Sequence, residues 1–209
     1  MYQVPQITSS IYYVGVNDRM KERFENVWSI PSGVAYNAYL ILDEQTTLID
    51  TVDVCYSDVF FHKLDILIEG RPLGYLIINH MEPDHGGSIG LLRQRYPNMQ
   101  IVGNKKTFEM LRGFHGITTG LHEVKSGDAL RIGKHEFSFL MAPMVHWPEV
   151  MFTYEQTNRV LFSADAFGSF GALSGHILDS HLGDRQAYLE EMIRYYACVI
   201  GKYGPFVKK

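Results

Sequence analysis

Apolar residues in the first half of the chain alternate with polar ones or form short runs, a pattern typical of β-strands. The Asp-Glu-Gln segment at residues 43–45 separates two of these runs and predicts a hairpin turn. Residues 75–78 are wholly apolar, which indicates a strand buried on both faces. The predicted strands of this half are residues 11–16, 36–42, 46–50, 75–78 and 100–103.

Helices are predicted where apolar residues recur at intervals of three and four positions. They span residues 57–68, 88–96 and 105–114, and a last helix begins near Arg185. The hydroxyl of Ser88 is expected to cap the second helix by accepting an early backbone N–H. The last helix is expected to face the core through an apolar stripe of Leu189, Met192, Ile193, Tyr196, Ala197 and Ile200.

Strands dominate again between residues 121 and 162, and a glycine-rich stretch at 165–175 predicts an irregular loop. The element order is therefore three strands, then alternating helices and strands, then further strands and a final helix. This order argues for the α/β class, with mixed sheets covered by helices. We expect residues 1–209 to form one domain, since this length is enough to bury a sizeable core.

Composition narrows the class of protein. A hydrophobic fraction of 46% and a mean hydropathy of -0.09 fit a soluble globular chain. No apolar run approaches the ~20 residues that span a bilayer, and the N-terminus lacks a signal-peptide pattern, so no membrane association is expected. A net charge of -4 without a basic patch argues against nucleic acid as a partner. Cys55 and Cys198 are far apart, which predicts reduced core thiols in a cytoplasmic protein, with a single disulfide as the alternative.

Candidate chemistry begins directly after the apolar run at 75–78. His80, Glu82, Asp84 and His85, all able to bind a metal, follow within a few residues. Imidazoles and carboxylates are costly to pack together without a counter-charge, so this cluster indicates a site. In an extended backbone the first three side chains point the same way, whereas His85 points elsewhere and suits a second metal.

Two later strands end in the same manner. The run at 139–145 leads into His146, and the run at 160–164 leads into Asp165. Polar groups at strand ends commonly build sites, so these two residues are expected to join the first cluster. The alternative is a helix N-cap cluster formed by Asp84 and His85 with two exposed neighbours.

These residues resemble the metallo-β-lactamase superfamily and, within it, the flavodiiron proteins. The superfamily motif is usually His-x-His-x-Asp-His, typical of zinc hydrolases, and Glu82 replaces its second histidine as in the flavodiiron branch. The resemblance covers nearly the whole chain, including Tyr-Asn-Ala-Tyr-Leu at 36–40, His-Trp-Pro at 146–148 and Ser-Ala-Asp-Ala-Phe-Gly at 163–168. It implies a four-layer αββα sandwich with a two-iron centre at one edge of the sheets.

The resemblance also implies how two iron ions would be held. The ligands of the first would be His80, Glu82 and His146; those of the second would be Asp84 and, in some members, His85; the bridge would be Asp165. Replacing imidazole by carboxylate hardens the site, which favours iron or manganese over zinc. The implied activity is reduction of dioxygen to water or of nitric oxide to nitrous oxide, with electrons from a flavin partner.

Some parts of the family pattern do not occur in this sequence. Flavodiiron proteins have a further histidine ligand after the next strand-helix unit and a C-terminal flavodoxin domain that binds FMN. We therefore expect a sandwich incomplete at its C-terminus, an exposed sheet edge, a weaker second metal site and FMN only on a separate flavodoxin domain or chain. An interrupted reading frame, an expressed fragment and half of a split protein all fit the sequence.

Three functions remain open at this stage. The first is a diiron oxidoreductase domain served by a flavodoxin- or rubredoxin-type electron donor, with a homodimer left open. The second is a metal-dependent hydrolase using a metal-activated water, which Glu82 argues against. The third is an inactive remnant. The role of Tyr195 stays open between a hydrogen bond to a bound intermediate and helix packing, whereas Tyr196 is expected to pack on the apolar stripe.

Overall fold

Two β-sheets packed face to face position the candidate site. They are described by a computed structural model that covers residues 4–208. The strands are β1 (Ile11–Tyr13), β2 (Val16–Asp18), β3 (Arg23–Phe24), β4 (Trp28–Ser29), β5 (Val34–Tyr36), β6 (Tyr39–Ile41), β7 (Thr46–Ile49), β8 (Leu73–Ile77), β9 (Gln100–Gly103), β10 (Leu121–Glu123), β11 (Ala129–Arg131), β12 (Glu136–Met141), β13 (Met151–Glu155) and β14 (Val160–Phe162). The larger sheet has the order β1-β6-β7-β8-β9-β10, and the smaller has the order β11-β12-β13-β14.

The helices lie between and after these strands. They are α1 (Ser57–Ile68), α2 (Pro83–Gly86), α3 (Ile89–Arg95), α4 (Lys105–His115), α5 (Arg185–Tyr195) and α6 (Gly204–Val207). A π-helical turn (Tyr196–Ile200) and a 3-10 turn (Gly201–Tyr203) connect α5 to α6. The four helices predicted from the sequence therefore all form, and α2 and α6 are additional short helices.

The strand directions bring distant parts of the chain to one edge. Strands β7, β8, β9 and β10 run parallel, so their carboxyl ends share an edge of the larger sheet. The smaller sheet is antiparallel throughout. The backbone N–H of Met151, at the start of β13, donates to the carbonyl oxygen of Asn79, just after β8, at 3.1 Å. Both sheets therefore deliver loops to the same edge.

Side-chain alternation along the strands divides the core into two layers. Leu48 and Leu76, on one face of the larger sheet, pack in a cluster with apolar residues of α1, α3 and α4. Their neighbours Ile49 and Ile77 point to the other face and pack in a second cluster with Phe137 of the smaller sheet. All five side chains are fully buried, and burial at about 25 cal/mol per Å² of apolar surface drives this packing. The predicted α/β class, with mixed sheets covered by helices, is confirmed.

Two predicted strands are broken in the structure. Residues 11–16 divide into β1 and β2, and residues 36–42 contribute to β5 and β6, because the chain leaves the larger sheet to form a separate ribbon of β2 and β5. Gly15 lies at this switch, where a Cβ would stand 2.2 Å from the carbonyl oxygen of Tyr36. Only glycine permits so close an approach of two backbone segments.

The predicted core-facing stripe of the last helix is largely wrong, although its last member, Ile200, is buried. Its exposed members are Leu189, Ile193, Tyr196 and Ala197. Tyr195 and Val199, which were not part of the stripe, are buried. The ring of Tyr195 lies 5.0 Å from that of Phe170, and the π-helical turn after α5 changes the spacing of the last positions of the stripe.

Other expectations are partly corrected. Ser88 precedes α3, but its hydroxyl donates to the carbonyl oxygen of Val52 at 2.9 Å instead of capping the helix. Cys55 and Cys198 are both free as predicted, although Cys55 is exposed and outside the core. Within residues 4–208, no helix combines the length and the apolar character needed to cross a bilayer.

Candidate metal centre

The predicted metal-binding motif lies at the shared edge of the two sheets. After β8 ends at Ile77, residues 78–82 form an irregular segment that carries His80 and Glu82, and Pro83 then begins α2. Proline is well suited to the first position of a helix because its missing N–H would have no partner there. The expectation of an extended backbone from His80 to Asp84 is therefore wrong at its end, since Asp84 lies in the helix.

The two later residues reach the same point from the smaller sheet. His146 lies in the loop between β12 and β13, and Asp165 lies in the loop after β14. These loops are held against the motif, since the side-chain amide of Asn79 donates to the carbonyl oxygen of Phe162 at 3.3 Å. The hydroxyl of Thr153 donates to the side-chain oxygen of Asn79 at 2.7 Å.

Four side chains converge into one cluster able to hold a metal ion. Potential ligand atoms of His80, Glu82, His146 and Asp165 all lie within 4.8 Å of one another. Nε2 of His80 is 3.3 Å from both Glu82 Oε2 and Asp165 Oδ2. Nε2 of His146 is 3.1 Å from the same Glu82 oxygen and 3.0 Å from the same Asp165 oxygen. Two nitrogen and two oxygen donors thus point at a common centre.

The other two predicted residues lie on the far side of Asp165. Nε2 of His85 is 2.8 Å from Asp165 Oδ1 and 3.9 Å from Asp84 Oδ2. Oδ1 of Asp84 is buried and has no hydrogen-bond partner among residues 4–208. Asp165 therefore offers one oxygen to each of two groups of donors, and the second group contains a carboxylate oxygen that lacks a counterpart.

The three imidazoles are held in a strongly anionic setting. Burial would lower the pKa of His146, but hydrogen bonds to Asp165 and Glu82 raise it to about 9. Burial likewise opposes charge on His80 and His85, yet their carboxylate neighbours raise the pKa of each well above the usual 6.5. In the metal-free protein, protons on these rings therefore supply the positive charge that the carboxylates require.

Burial and the neighbouring charges also shift the pKa values of three carboxylates of the site. Burial opposes ionisation of Glu82, but hydrogen bonds from His146 and His80 lower its pKa to about 2. Asp165 is also buried, and His85 is the main cause that holds its pKa well below the usual value. Burial raises the pKa of Asp84 to about 6, because it has no such hydrogen bond. Asp84 is thus the carboxylate of the site that most lacks a positive partner.

A cavity of about 260 Å³ opens onto the second group of donors. Asp84, His85 and Asp165 line it, together with Tyr195. Burial raises the pKa of the Tyr195 phenol well above 10, and the charge of the nearby Asp165 carboxylate raises it further. The phenol therefore stays protonated and can donate a hydrogen bond at the cavity wall. Tyr196 is 48% exposed, so it does not pack into the core as predicted.

Two carboxylates behind the histidines were missed in the sequence. Glu149 is fully buried, and its Oε1 lies 2.8 Å from Nδ1 of His80. Asp50 follows β7, and its Oδ1 accepts the backbone N–H of Asn79 at 2.7 Å, while its other oxygen is 3.8 Å from Nδ1 of His85. Asp50 directly follows an apolar strand. The same pattern identified His146 and Asp165, so it could have identified Asp50 from the sequence.

Three other histidines lie away from this cluster. His176 and His181 are exposed and pack against each other with ring centroids 5.2 Å apart. His135 is buried between Asp43 and Ser10, at 2.8 and 2.9 Å, so its ring nitrogens have partners in the core. The indole of Trp147 packs edge-on against His80 at 5.3 Å, so it walls the cluster.

Comparison with known proteins supplies the family. The family model described as "ODP family beta lactamase" matches residues 34–201, which include all six predicted metal ligands. The chain belongs to this family. Its mixed α/β fold matches the metallo-β-lactamase-like domain of flavodiiron proteins, as the sequence resemblance implied.

Three proteins similar to this ODP-family chain show how much of a longer protein it matches. The anaerobic nitric oxide reductase flavorubredoxin of Vibrio vulnificus is 33% identical over 96% of the chain and 41% of its own length. The flavodiiron protein of Giardia intestinalis has a TM-score of 0.94 at 27% identity, over 100% of the chain and 50% of its own. The rubredoxin oxygen:oxidoreductase of Desulfovibrio gigas has a TM-score of 0.91 at 31% identity, over 98% of the chain and 51% of its own. The chain thus spans about two fifths to one half of these proteins.

Proposed function

We propose that this chain is the diiron-binding part of an oxidoreductase that reduces dioxygen or nitric oxide. The single observation that carries the proposal is the position of Asp165, which presents one oxygen to His146 and the other to His85. A carboxylate placed between two groups of donors is suited to bridge two metal ions. The chain's relatives include a nitric oxide reductase and an oxygen oxidoreductase, which supports this class of oxidant.

The residues present fit two iron ions. The ligands of the first would be His80, Glu82 and His146; those of the second would be Asp84 and His85; the bridge would be Asp165. Carboxylate-rich donor sets favour iron or manganese over zinc, and three carboxylates offset much of the charge of two ferric ions. The buried, unpartnered Oδ1 of Asp84 is accounted for if a cation lies beside it.

Two bound irons would pass electrons from an external donor to the oxidant. The chain's own residues would confine the oxidant and donate protons to it. The 260 Å³ cavity admits a small molecule to the side of the site lined by Asp84 and His85. Tyr195 lines the same cavity with a protonated phenol, so it can donate a hydrogen bond to an oxidant held there. Trp147 closes the opposite side, behind His80.

The electron donor in this proposal is a protein of the flavodoxin or rubredoxin type. The names of the relatives support it, since one is a flavorubredoxin and another a rubredoxin oxygen:oxidoreductase. FMN would be carried by a separate domain or chain.

Metal analysis and activity test the proposal together. After anaerobic reconstitution with Fe(II), we expect at least about one iron per chain, and consumption of dioxygen or nitric oxide when reduced flavodoxin is added. The zinc-loaded protein is the matched control and should consume neither, because zinc has no redox chemistry. Preferential zinc loading with turnover of esters or thioesters would contradict the proposal.

A further inference from the structure

Glu149 is not one of the proposed metal ligands, yet its buried carboxylate contacts one of them, His80. It lies in the loop between β12 and β13, close to His146 in sequence, and its side chain is fully buried. Its Oε1 accepts two hydrogen bonds, from Nδ1–H of His80 at 2.8 Å and from the backbone N–H of Met81 at 2.9 Å. One carboxylate oxygen thus holds both the ring of His80 and the backbone next to it.

This contact decides which nitrogen of His80 faces the cluster. An ionised carboxylate can only accept, so Nδ1 of His80 must carry a hydrogen. Nε2 is then the nitrogen that can offer its lone pair, and it is the atom that lies 3.3 Å from Glu82 and Asp165. The ring is therefore oriented and set in the tautomer that a metal in the cluster would need.

The backbone around Glu149 is itself fixed. The side-chain amide of Asn104 donates to the carbonyl oxygen of Glu149 at 2.6 Å. The same side chain accepts the backbone N–H groups of Lys106 and Thr107 at the start of α4. Glu149 is therefore anchored to the larger sheet's helix layer, and its carboxylate cannot easily move away from His80.

The second oxygen of Glu149 has no partner in the protein. Oε2 is buried and accepts no hydrogen bond from any part of the chain between residues 4 and 208. The cost of burying this carboxylate must therefore be offset through its first oxygen, which contacts the ring of His80. Positive charge on that ring in the metal-free protein, or on a metal at its Nε2, would be the counter-charge of Glu149.

From these contacts we propose that Glu149 is a positioning residue for the metal centre. It fixes the orientation and tautomer of His80, and its charge makes the ring a stronger donor, as carboxylates behind metal-bound histidines do in general. The inference rests on the proposed function only in that the cluster must bind metal. It assigns to Glu149 no contact with the oxidant.

Two substitutions separate this role from a purely structural one. Glu149→Gln keeps an oxygen that can accept from His80 and Met81 but removes the charge, and Glu149→Ala removes both. The matched control is Glu155→Gln, because Glu155 is equally buried and accepts the backbone N–H groups of Thr157 and Asn158 at the other end of β13.

The readouts are Fe(II) affinity by anaerobic competition with a chelator, the Mössbauer spectrum of the loaded protein, and the melting temperature of the metal-free protein. We expect E149Q to bind Fe(II) about 10- to 100-fold more weakly and to show an altered spectrum, whatever its melting temperature. E155Q should lower the melting temperature and leave the affinity and the spectrum unchanged. If E149Q matches the wild type in affinity and spectrum, Glu149 is structural and the inference is overturned.

A crystal structure of the metal-free E149A variant makes the inference independent of the proposed function. If the ring of His80 turns or disorders while the fold is kept, the positioning role stands even for a wild type that loads no iron. If the ring stays as it is, the positioning role is overturned whatever the wild type binds. Failure of the wild type to load iron counts against the proposed function alone.

Discussion

His85 and Asp165 are separated by 80 residues in the sequence, yet Nε2 of the first and Oδ1 of the second lie 2.8 Å apart. This contact joins helix α2 to the loop after β14 and leaves the other oxygen of Asp165 free for a different neighbour. That second oxygen faces His146 at 3.0 Å. The two halves of the candidate metal centre are therefore linked through a single carboxylate.

Replacing this carboxylate should weaken both halves. We expect Asp165→Asn to lower the free energy of unfolding of the metal-free protein at neutral pH by about 3 kcal/mol, because it removes one partner of a buried ion cluster. Iron content per chain should fall in the same variant. Urea denaturation and metal analysis provide the measurements.

The control for that variant is Asp128→Asn, since Asp128 is exposed and caps a turn through the N–H of Lys125. Its effect on stability should stay within about 0.5 kcal/mol, with unchanged iron content. An Asp165→Asn protein that unfolds and loads iron like the wild type would show that the bridge is not used.

The stability of the metal-free protein should depend on pH through its histidines. The pKa of His146 rises from 6.5 to about 9 on folding, so its contribution is fully present below pH 6.5 and is lost as the pH rises through 9. His80 and His85 are shifted in the same direction. We expect the free energy of unfolding to fall by about 3 kcal/mol for His146 over this window, measured by urea denaturation at a series of pH values.

The iron-loaded protein is the comparison for this titration. Metal would replace the protons on the rings, so its stability should change far less between pH 6.5 and pH 9. A His146→Asn variant without metal should show a shallower dependence than the wild type. Equal slopes for the metal-free wild type and this variant would rule out His146 as a source of the effect.

Glu82 should govern the choice of metal. A Glu82→His substitution restores the motif typical of zinc hydrolases and replaces a hard oxygen donor by imidazole. We therefore expect the ratio of zinc to iron affinity to rise by about tenfold or more, as measured by competition between Zn(II) and Fe(II). Glu82→Asp keeps the carboxylate and serves as the control, and its preference should stay closer to the wild type. An unchanged ratio of zinc to iron affinity in both variants would show that Glu82 does not determine which metal binds.

Tyr195 should affect the reaction more than the metal. Tyr195→Phe removes the phenol from the cavity wall, and we expect the rate of oxidant consumption to fall about tenfold, the effect of losing one hydrogen bond in a transition state. Iron content should remain unchanged. Tyr196→Phe is the matched control, because the neighbouring ring is exposed and outside the cavity. If both variants react like the wild type, Tyr195 only packs.

Much of the fold follows from local patterns. The helix at 57–68 forms as predicted because its apolar face is set by residues one turn apart, and the buried strand before His80 follows from a continuous apolar run. The last helix departs from its predicted stripe: Tyr195 packs against Phe170, Leu189 is exposed, and a π-helical turn follows the helix. The spacing of apolar residues does not predict this turn, because the turn depends on tertiary packing.

Some residues of the site can likewise be identified from the sequence, whereas others are found only in the structure. The residue types that could bind metal, from His80 to His85, are neighbours in the chain, and their cost when buried together makes them recognisable without a structure. Glu149 and Asp50 act on His80 and His85 only after folding, across the two sheets. Local sequence therefore determined the donors and the strands that carry them. Tertiary packing alone decided which donors share a centre, which oxygen of Asp165 serves each side, and which buried carboxylates hold the rings, because these depend on contacts between segments far apart in the chain.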